Sequence, residues 1–492
     1  SLLFYFKICY IYINISLRLF GDKVRKTKIV CTIGPSSEKE EVFEQLCLAG
    51  LNVARLNFSH GSHEEHQKKI DMIKRVREKL KLPIAIMLDT KGPEFRLGLF
   101  ENGSVEKKEG DKFIFTTDKI TGNEQRVSVS YENLSKELEV GDVILVNNGL
   151  SKFRVTNING NDIETVTEVG GVISNRKSLA FPEKMLKQVY LSEQDKSDIL
   201  FGMENGVDFI ACSFVSCKQD LVDVKNFIAE NGGADIEIIA KIENNFGIDN
   251  IEDICSECSG IMIGRGDMGV EIPFEKLPAV QKLLITKCRL LGKRVITATE
   301  MLESMITNAR PTRAEISDVA NAVYDGTSAV MLSGETAMGK YPVLTVQTMS
   351  KICEETEKNI HYDKRFRSYQ FTIKNTLDAI SHATCQMAID IHAKAVVVCS
   401  LSGMTARMVS RFRSPTDIIG VTVSEKVWRR LALSWGVTPV LTEEYPSVEV
   451  LFYHAKELAK KYFKLKKNDL FVITGGQMNK SGNTNLIKIE TV

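Results

Sequence analysis

The chain has 492 residues, of which 43% are hydrophobic and 26% are charged. One hydrophobic core rarely extends over that length, so we expect two to four domains. The 64 Lys and Arg side chains balance the 63 Asp and Glu side chains, which gives no reason to expect nucleic acid or a membrane as a partner. The 11 cysteines form no repeating framework. This favours reduced thiols and a cytoplasmic protein.

The chain begins with an apolar segment, SLLFYFKICYIYINISLRLF, which Lys7, Asn14 and Arg18 interrupt. It lacks an initiator Met, and no small-residue cleavage site follows it. A membrane segment is the alternative, but the composition is typical of translated A/T-rich upstream sequence. We therefore interpret residues 1–22 as a non-native extension and expect the native chain to start near Val24.

From residue 28 to residue 358 the chain alternates short apolar runs with amphipathic stretches. The runs are rich in Val, Ile and Ala, as are strands that are covered on both faces. Eight strands with helices between them predict a (β/α)8 or TIM barrel, and an open doubly wound sheet is the alternative. The predicted strands span 28–33, 52–57, 84–89, 207–213, 237–242, 260–264, 294–299 and 329–333, and the clearest helices span 64–80, 218–230, 276–291 and 341–357.

Two further units interrupt or follow this pattern. Alternating segments between Gly, Asn and Asp turns predict an all-β lid domain inserted at 93–188, which leaves 23–92 and 189–358 for the barrel. A charged stretch then leads to a C-terminal α/β domain at 372–492. Its predicted strands span 394–399, 417–423 and 469–475, with an edge strand at 485–491.

Two spacings imitate metal sites. Cys255 and Cys258 form a single C-x-x-C, with no second pair at zinc-finger distance. His60, His63 and His66 lie three residues apart, but no nearby Cys or further His completes a set. We expect no zinc or redox site at either place, and we interpret His63 and His66 as a solvated helix start.

Polar side chains follow the predicted barrel strands at their carboxyl ends, where barrel active sites lie. Glu243 and Asp267 follow adjacent strands, and carboxylates are the ligands that Mg²⁺ or Mn²⁺ prefers. Lys241 and Arg55 can supply positive charge to an anionic oxygen or a phosphoryl group. The strand-end set comprises Arg55, Asn57, Ser59, His60, Asp89, Thr90, Lys91, Ser213, Lys241, Glu243, Arg265, Asp267, Thr299, Ser333 and Glu335.

The stretch at 264–269, GRGDMG, fits the dinucleotide pattern G-x-G-x-x-G, but Asp267 would then face a pyrophosphate without a counter-ion. Read as a loop that opens a helix, its amides suit a small carboxylate or phosphate beside a metal. No G-x-x-x-x-G-K-[ST] segment is present, which argues against a P-loop NTPase. The residues alone predict a barrel enzyme that handles a small anion with a divalent metal and a lysine. Phosphoryl transfer and enolate chemistry both fit.

Eight stretches of the sequence stand in the order and spacing of one known family. They are KIVCTIGP, RLNFSHG, DTKGPEFR, AKIENNFG, GRGDMGVEIP, TATEMLESM, PTRAEISDVANAVYDGTSAVMLSGETAMGKYP and SGMTARMVSRFR. In these stretches the chain resembles the pyruvate kinases, and the resemblance covers about residues 24–492. It implies phosphoryl transfer from phosphoenolpyruvate to ADP, giving pyruvate and ATP, in a cytoplasmic homotetramer activated by a phosphorylated sugar.

The resemblance implies roles for the residues at matching positions. Lys241 would stabilise the moving phosphoryl group and the enolate, and Arg55 would meet the phosphate. Glu243 and Asp267 would hold Mg²⁺ or Mn²⁺. The substrate carboxylate would be received by Gly266, Asp267 and Thr299.

A monovalent cation site and a nucleotide side are also implied. Glu94 stands where a Glu accompanies potassium dependence in the family and a Lys accompanies independence. Arg96 and His60 would contact the nucleotide, and Ser333 and Glu335 would join the proton relay to pyruvate. The ligands of K⁺ would be Asn57, Ser59, Asp89 and Thr90.

The C-terminal domain is expected to bind the effector in the stretch SLSGMT, which follows a predicted strand and opens a helix. A plain strand-to-helix turn is the alternative. The residues that would bind the effector phosphate are Ser400, Ser402, Gly403, Met404 and Thr405.

The chain departs from the family pattern at two positions. Many members have a Lys in an E-K-D stretch near the nucleotide, where this chain has Gln194 followed by Asp195 and Lys196. One ADP contact is therefore open. Many members also have a Gln where this chain has Glu300, and we expect little effect on the reaction.

Two rival functions can be separated from this one by a lactate-dehydrogenase-coupled assay. A different metal-dependent barrel enzyme acting on phosphoenolpyruvate or pyruvate, such as a mutase or lyase, would not need the inserted lid or a monovalent site. An inactive sugar-phosphate sensor would not need Lys241, Glu243 and Asp267.

Overall fold

The computed structural model describes residues 25–182, 184–445, 447–476 and 484–492. The interpretation of residues 1–22 as a non-native extension lies outside the described residues. The chain opens with the first three strands of the barrel and the two helices between them. These are β1 (Lys28–Thr32), α1 (Glu40–Ala49), β2 (Val53–Asn57), α2 (His63–Leu80) and β3 (Ala85–Asp89).

An inserted β-structure follows β3. Its elements are β4 (Phe95–Arg96), β5 (Ser104–Lys107), β6 (Lys112–Thr116), β7 (Arg126–Ser128), α3 (Leu134–Glu137), β8 (Val143–Val146), β9 (Ser151–Asn159), β10 (Asp162–Val169), β11 (Gly171–Ser174) and β12 (Ser178–Ala180). The strands form a seven-stranded sheet in the order β4-β12-β8-β9-β10-β6-β7 and a two-stranded sheet of β11 and β5. Phenylalanine rings fill its own core, among them Phe113, Phe115 and Phe153.

The chain then returns to the barrel and completes it. The elements are α4 (Glu193–Glu204), β13 (Phe209–Cys212), α5 (Lys218–Glu230), β14 (Glu237–Ile242), α6 (Asn245–Asp249), α7 (Ile251–Glu257), β15 (Gly260–Gly264), α8 (Arg265–Glu271), α9 (Leu277–Leu290), β16 (Arg294–Ala298), α10 (Arg313–Asp325), β17 (Ala329–Leu332), α11 (Gly334–Ala337) and α12 (Pro342–Lys358), with short 3₁₀ turns at Phe274–Lys276 and Glu303–Ile306.

Eight parallel strands close the barrel in the order β1-β17-β16-β15-β14-β13-β3-β2. Small and branched side chains such as Val30, Ala85 and Ile239 fill its interior, and this packed interior leaves chemistry to the carboxyl ends of the strands. The predicted fold class is confirmed: a TIM barrel with an inserted β-structure and a C-terminal α/β unit.

The C-terminal unit is a five-stranded sheet in the order β20-β19-β18-β21-β22, in which β22 is an antiparallel edge strand. Leu433, between its helix α16 and strand β20, is fully buried within the cluster that fills the barrel interior. The elements are α13 (Tyr362–Ser368), α14 (Thr376–Asp390), β18 (Ala395–Cys399), α15 (Met404–Ser410), β19 (Asp417–Thr422), α16 (Glu425–Leu431), β20 (Val437–Leu441), α17 (Val448–Phe463), β21 (Leu470–Gly476) and β22 (Thr484–Thr491).

Strand β20 and the C-x-x-C segment can be compared directly with the sequence analysis. Strand β20 has no counterpart among the predicted strands. It contains Pro439, and proline is confined to edge strands such as this one. In the C-x-x-C segment, Cys255 lies 3.5 Å from the Sγ atom of Cys288, and both thiols are buried in the core. Within the described part of the chain, no helix is both long and apolar enough to cross a membrane.

Candidate active site

The ammonium group of Lys241 lies at the centre of the charged residues at the carboxyl end of the barrel. Its Nζ atom donates to Asp89 Oδ1 at 3.0 Å and to Ser213 Oγ at 2.7 Å, and it lies 3.1 Å from Glu243 Oε1. Burial alone would lower the pKa of Lys241, but the carboxylates of Asp89 and Glu243 raise it above its ordinary value. The side chain is therefore a fixed cation at neutral pH.

Arg55 forms a second buried cation beside it. Its Nε atom donates to Asp89 Oδ2 at 2.6 Å, and its Nη1 atom donates to Thr32 Oγ1 at 2.8 Å. Burial opposes the charge on Asp89, yet Arg55 and Lys241 together lower the pKa of this carboxyl. Asp89 thus holds both cations in place, which preorganises positive charge in a water-poor site.

Glu243 and Asp267 are acids of a different kind. Glu243 Oε2 accepts a bond from the amide of Phe214 at 2.9 Å. Burial raises the pKa of Glu243 to about 7, against the attraction of Lys241, and burial also raises the pKa of Asp267. A Cβ atom on Gly264 would lie only 2.5 Å from Glu243 Oε1, so glycine is needed there. Two poorly neutralised carboxylates on neighbouring strands fit a hard divalent cation.

Thr299 and Gly266 meet on the other side of the site. The amide of Gly266 donates to Thr299 Oγ1 at 2.8 Å. Thr299 and Glu300 have φ values of 68° and 53°, which is a strained conformation for side chains of this kind. The guanidinium of Arg265 donates to the carbonyls of Thr299 and Glu300, at 2.6 and 3.1 Å, and so stabilises the turn.

The proposed ligands of a monovalent cation lie on adjacent strand ends. Asn57 and Asp89 are partners in the register of β2 and β3. The Asn57 side chain accepts a bond from the amide of Ser59 at 3.1 Å, and Thr90 Oγ1 accepts from the amide of Ser213 at 3.2 Å. The donors are all oxygens, which is the ligand type that K⁺ takes in proteins.

His60 is exposed on the loop after β2, whereas the two following histidines are not a solvated helix start. His66 is only 2% exposed and stacks on Phe58 with a ring separation of 3.9 Å. His63 is partly buried, and its Nε2 atom lies 2.7 Å from Asp198 Oδ1. The interpretation of both as solvated is therefore wrong, because Phe58 and Phe201 bring both rings into the protein.

Glu94 and Arg96, two of the predicted residues, pair with each other where the chain enters the lid. Arg96 donates from Nε and Nη2 to Glu94 Oε2 at 2.9 and 2.8 Å, and from Nη1 to the carbonyl of Arg176. Arg96 is partly buried. The structure therefore places the proposed nucleotide contact against Glu94, which screens its charge while the lid has this position.

Ser333 and Glu335 follow the last barrel strand, β17, where Ser333 is half-buried. Glu335 is fully buried and accepts bonds from the amides of Leu302 and Ser333, at 3.1 and 2.7 Å. Burial raises its pKa. The hydroxyl of Ser333 is buried and has no hydrogen-bond partner among the described residues, so it retains a donor for a substrate or a water molecule.

Gln194 stands at the start of α4, where the family pattern often has Lys. Its amide donates to Asp198 Oδ1 at 2.9 Å, the same oxygen that His63 contacts. Lys196 pairs instead with Glu193 at 2.7 Å. Neither side chain is therefore free of protein partners at this place.

The loop after β18 has a compact geometry. Gly403 has φ 75°, and a Cβ atom there would lie 2.9 Å from the Val427 side chain. Thr405 is buried, and its hydroxyl lies 2.6 Å from the hydroxyl of Thr484. The Ser402 hydroxyl accepts from the amide of Met404 at 3.4 Å, and the amide of Ser400 donates to the carbonyl of Val421.

Two residues of the site had no role in the sequence analysis beyond their strand-end position. Ser213 bridges Lys241 and the carbonyl of Thr90, to which its hydroxyl donates at 2.6 Å. Arg265 holds the Thr299–Glu300 turn. Their place after barrel strands was the available signal, but the contacts that define their roles come from residues distant in sequence.

A cavity of about 190 Å³ separates both ends of the lid from the barrel. Aromatic side chains from both parts line it, including Phe95, Phe181 and Phe214, and Asp267 and Glu271 form its acidic side. Burial raises the pKa of Glu271 to about 7. The lid and Asp267, one of the two predicted metal ligands, thus face a common space.

The closed barrel and the buried charges at its carboxyl end define an enzyme of the TIM-barrel class. The family profile described as pyruvate kinase, barrel domain matches residues 24–346, and the one described as pyruvate kinase, alpha/beta domain matches residues 378–490. The chain belongs to the pyruvate kinase family, which are phosphotransferases, and the resemblance seen in the sequence is confirmed.

Individual relatives agree with this assignment. The chain is 43% identical to a pyruvate kinase of Clostridium acetobutylicum over 95% of its own length and 100% of the relative's. It is 46% identical to one of Bacillus licheniformis, over 95% and 81% of the two chains. The crystal structure of a pyruvate kinase from Cryptosporidium parvum superposes with a TM-score of 0.90, at 38% identity over 97% of both chains.

Proposed function

We propose that this enzyme transfers the phosphoryl group of phosphoenolpyruvate to ADP, giving pyruvate and ATP, as the last step of glycolysis (an ATP:pyruvate 2-O-phosphotransferase). The observation that carries the proposal is the buried ammonium of Lys241, 3.0 Å from Asp89 and 3.1 Å from Glu243, in a chain of this family. A fixed cation at this place can stabilise the phosphoryl group in transfer and the enolate that it leaves.

The anionic substrate has complementary groups around it. Arg55 would bind the phosphate from the Asp89 side. The amides of Gly266 and Asp267 and the hydroxyl of Thr299 would receive the carboxylate, since Gly266 and Thr299 are already 2.8 Å apart. Thr299 would supply the proton that turns the enolate into pyruvate, with Ser333 and Glu335 in the same proton relay.

Glu243 and Asp267 would hold Mg²⁺ or Mn²⁺. When bound, the divalent cation would neutralise charge on the substrate oxygens and the transferring phosphoryl group. The raised pKa values of both carboxyls support this assignment, since two neighbouring acids without enough cationic partners are stabilised by a cation between them.

Asn57, Ser59, Asp89 and Thr90 would hold K⁺ beside the phosphate site. The carboxylate of Glu94 supports a requirement for K⁺. Glu94 is negative, whereas a Lys ammonium in its place would itself bring positive charge towards the substrate.

ADP would bind between the lid and the loop after β2, with Arg96 and His60 as contacts. Arg96 is paired with Glu94, so nucleotide phosphates would compete with that carboxylate for the guanidinium. The cavity between lid and barrel supports a lid that moves over the site.

We further propose activation by a phosphorylated sugar at Ser400, Ser402, Gly403, Met404 and Thr405, and assembly into a cytoplasmic homotetramer. Large apolar side chains on the outside of the barrel support subunit contacts: Phe274 is 81% exposed and Met338 is 69% exposed.

A coupled assay tests the proposal. The purified protein is mixed with phosphoenolpyruvate, ADP, Mg²⁺ and K⁺, and lactate dehydrogenase reports pyruvate through NADH oxidation. The rate should depend on both substrates. A protein that releases no pyruvate under these conditions, while folded by circular dichroism, would contradict the proposal.

A further inference from the structure

A buried histidine lies directly behind the loop that carries the proposed nucleotide contact. The loop runs from Asn57 to Ser62 between β2 and α2. The Nε2 atom of His66 lies 2.9 Å from the carbonyl oxygen of His60. Because a carbonyl oxygen can only accept, Nε2 must carry the proton, and His66 is the donor.

The ring has no freedom to choose another partner. It is 2% exposed and lies flat against Phe58, with 3.9 Å between ring centroids and an angle of 10° between the planes. Its Nδ1 atom is buried and has no hydrogen-bond partner among the described residues. Burial lowers the pKa of His66, which keeps the ring neutral and the Nε2 proton in place near pH 7.

The loop backbone lies close against the helix at the same point. Gly61 has φ 85°, and a Cβ atom there would lie 2.8 Å from Glu65 Oε2 and 3.4 Å from His66 Nε2. The side chains of Ser62 and Glu65 form a capping box that fixes the start of α2. The peptide between His60 and Gly61 is thus held against the first turn of the helix.

A second histidine, His63, lies on the same helix but does not contact the carbonyl of His60. His63 stacks on Phe201 of α4 at 4.4 Å and lies 2.7 Å from Asp198 Oδ1. It ties α2 to α4. His63 and His66 therefore both stack on a phenylalanine of the protein but have different hydrogen-bond partners, which makes His63 a control for His66.

We infer that His66 is a positioning residue for ADP: it fixes the backbone at His60 through one buried hydrogen bond and so places the His60 side chain on the nucleotide side of the site. The inference rests on the proposed function. It extends that function from the residues that touch substrate to one that acts through another residue.

Two substitutions separate the hydrogen bond from the packing. His66→Phe keeps an aromatic ring against Phe58 but removes the donor. His66→Gln removes the ring but offers an amide nitrogen at nearly the position of Nε2. His66→Phe should weaken ADP binding by about three- to tenfold, which is the scale of one lost hydrogen bond.

The expected pattern has three parts. KM for ADP and its Kd from isothermal titration calorimetry should rise in His66→Phe, whereas KM for phosphoenolpyruvate should stay within about twofold of wild type. His66→Gln should recover most of the ADP affinity. His63→Phe, which keeps the stack on Phe201, should bind ADP as the wild type does.

Gly61→Ala supplies an independent variant if His66→Phe does not fold. The added methyl group would displace the loop from the other side, so it should weaken ADP binding with His66 intact. An ADP affinity that stays unchanged in His66→Phe would overturn the inference. If only Gly61→Ala folds, an unchanged ADP affinity in that variant would overturn it. Equal losses of ADP affinity in His63→Phe and His66→Phe would overturn it as well. A wild-type protein that binds ADP without forming pyruvate would contradict the proposed function instead, and the binding comparison would still decide the role of His66.

Discussion

Lys241 and Asp89 are 152 positions apart in the chain, yet the ammonium of one donates to the carboxylate of the other at 3.0 Å. They come from the ends of β14 and β3, with one strand, β13, between them. Asp89 also receives Arg55 on its other oxygen. One carboxylate therefore sets the positions of both cations that we propose to face the substrate.

The potassium requirement can be tested at the lid entrance. In tetramethylammonium buffer without K⁺, the wild-type rate should fall to a small fraction, because Glu94 leaves the missing positive charge to an ion. Glu94→Lys should relax the requirement when rates are compared with and without KCl. Glu94→Gln, which also breaks the pair with Arg96, is the control and should stay dependent on K⁺. Full wild-type activity without K⁺ would refute the cation site.

Arg265 should matter for the substrate carboxylate. Replacing its fork with a single ammonium in Arg265→Lys removes most of the bonds to the carbonyls of Thr299 and Glu300. Charged hydrogen bonds contribute about 1.5–3 kcal/mol each, so KM for phosphoenolpyruvate should rise about tenfold or more. Arg310→Lys, an exposed change, serves as the control in the same steady-state assay. Equal kinetics in both variants would show that the strained turn does not need Arg265.

The proposed effector site at residues 400–405 can be tested by a selective loss of regulation. Thr405→Glu brings a carboxylate to the proposed phosphate site and should abolish activation by sugar phosphates, a coupling that is typically about 1–3 kcal/mol. Thr405→Val keeps the volume of the side chain but loses the contact with Thr484, and it separates charge from packing. Activation curves with several sugar phosphates provide the measurement. If Thr405→Glu still responds like the wild type, the site lies elsewhere.

Lys28 gives a pH dependence of stability. It is 4% exposed and donates to the carbonyl of Val437 at 2.7 Å, and burial lowers its pKa from 10.5 to about 7. Between these two values the unfolded chain holds a proton that the folded protein has released, so stability should rise with pH. The slope for one proton is at most about 1.4 kcal/mol per pH unit. Below pH 7 both states are protonated and this contribution is constant.

Thermal unfolding midpoints at pH 7 and pH 9.5 check this sign. The difference between wild type and Lys28→Met should change between the two pH values, in the direction of a relatively more stable wild type at pH 9.5. Parallel profiles for the two proteins would mean that Lys28 keeps its proton in the folded state.

The barrel was predictable because its strands are continuous apolar runs and its helices are amphipathic. Strand β14, for example, was predicted at its observed bounds, 237–242. Strand β20 was not predicted. It contains Pro439, which is unfavourable inside a sheet and is tolerated here because the strand lies at the sheet edge. Local sequence reports the pattern of a strand but not its place in the sheet.

The roles of the side chains, like the strands, were predictable from the sequence only in part. That Glu243 and Asp267 follow adjacent strands was visible in the sequence. The burial of His66 was not, since its three-residue spacing from His63 suggests an exposed helix start, and only Phe58 and the turn at Gly61 bring it inside. The left-handed turn at Thr299 and Glu300 likewise depends on Arg265, which the strand order brings near.

The most direct test of the account is the turnover of Lys241→Met with phosphoenolpyruvate and ADP. Removing one preorganised cation from such a site typically costs about 10²–10³ in rate, so kcat should fall at least that far in the coupled assay. Circular dichroism and Mn²⁺ binding should remain close to wild type, because Met fills similar space and leaves Glu243 and Asp267 in place. A near-normal kcat in a folded Lys241→Met protein would contradict the assignment of this lysine to phosphoryl transfer.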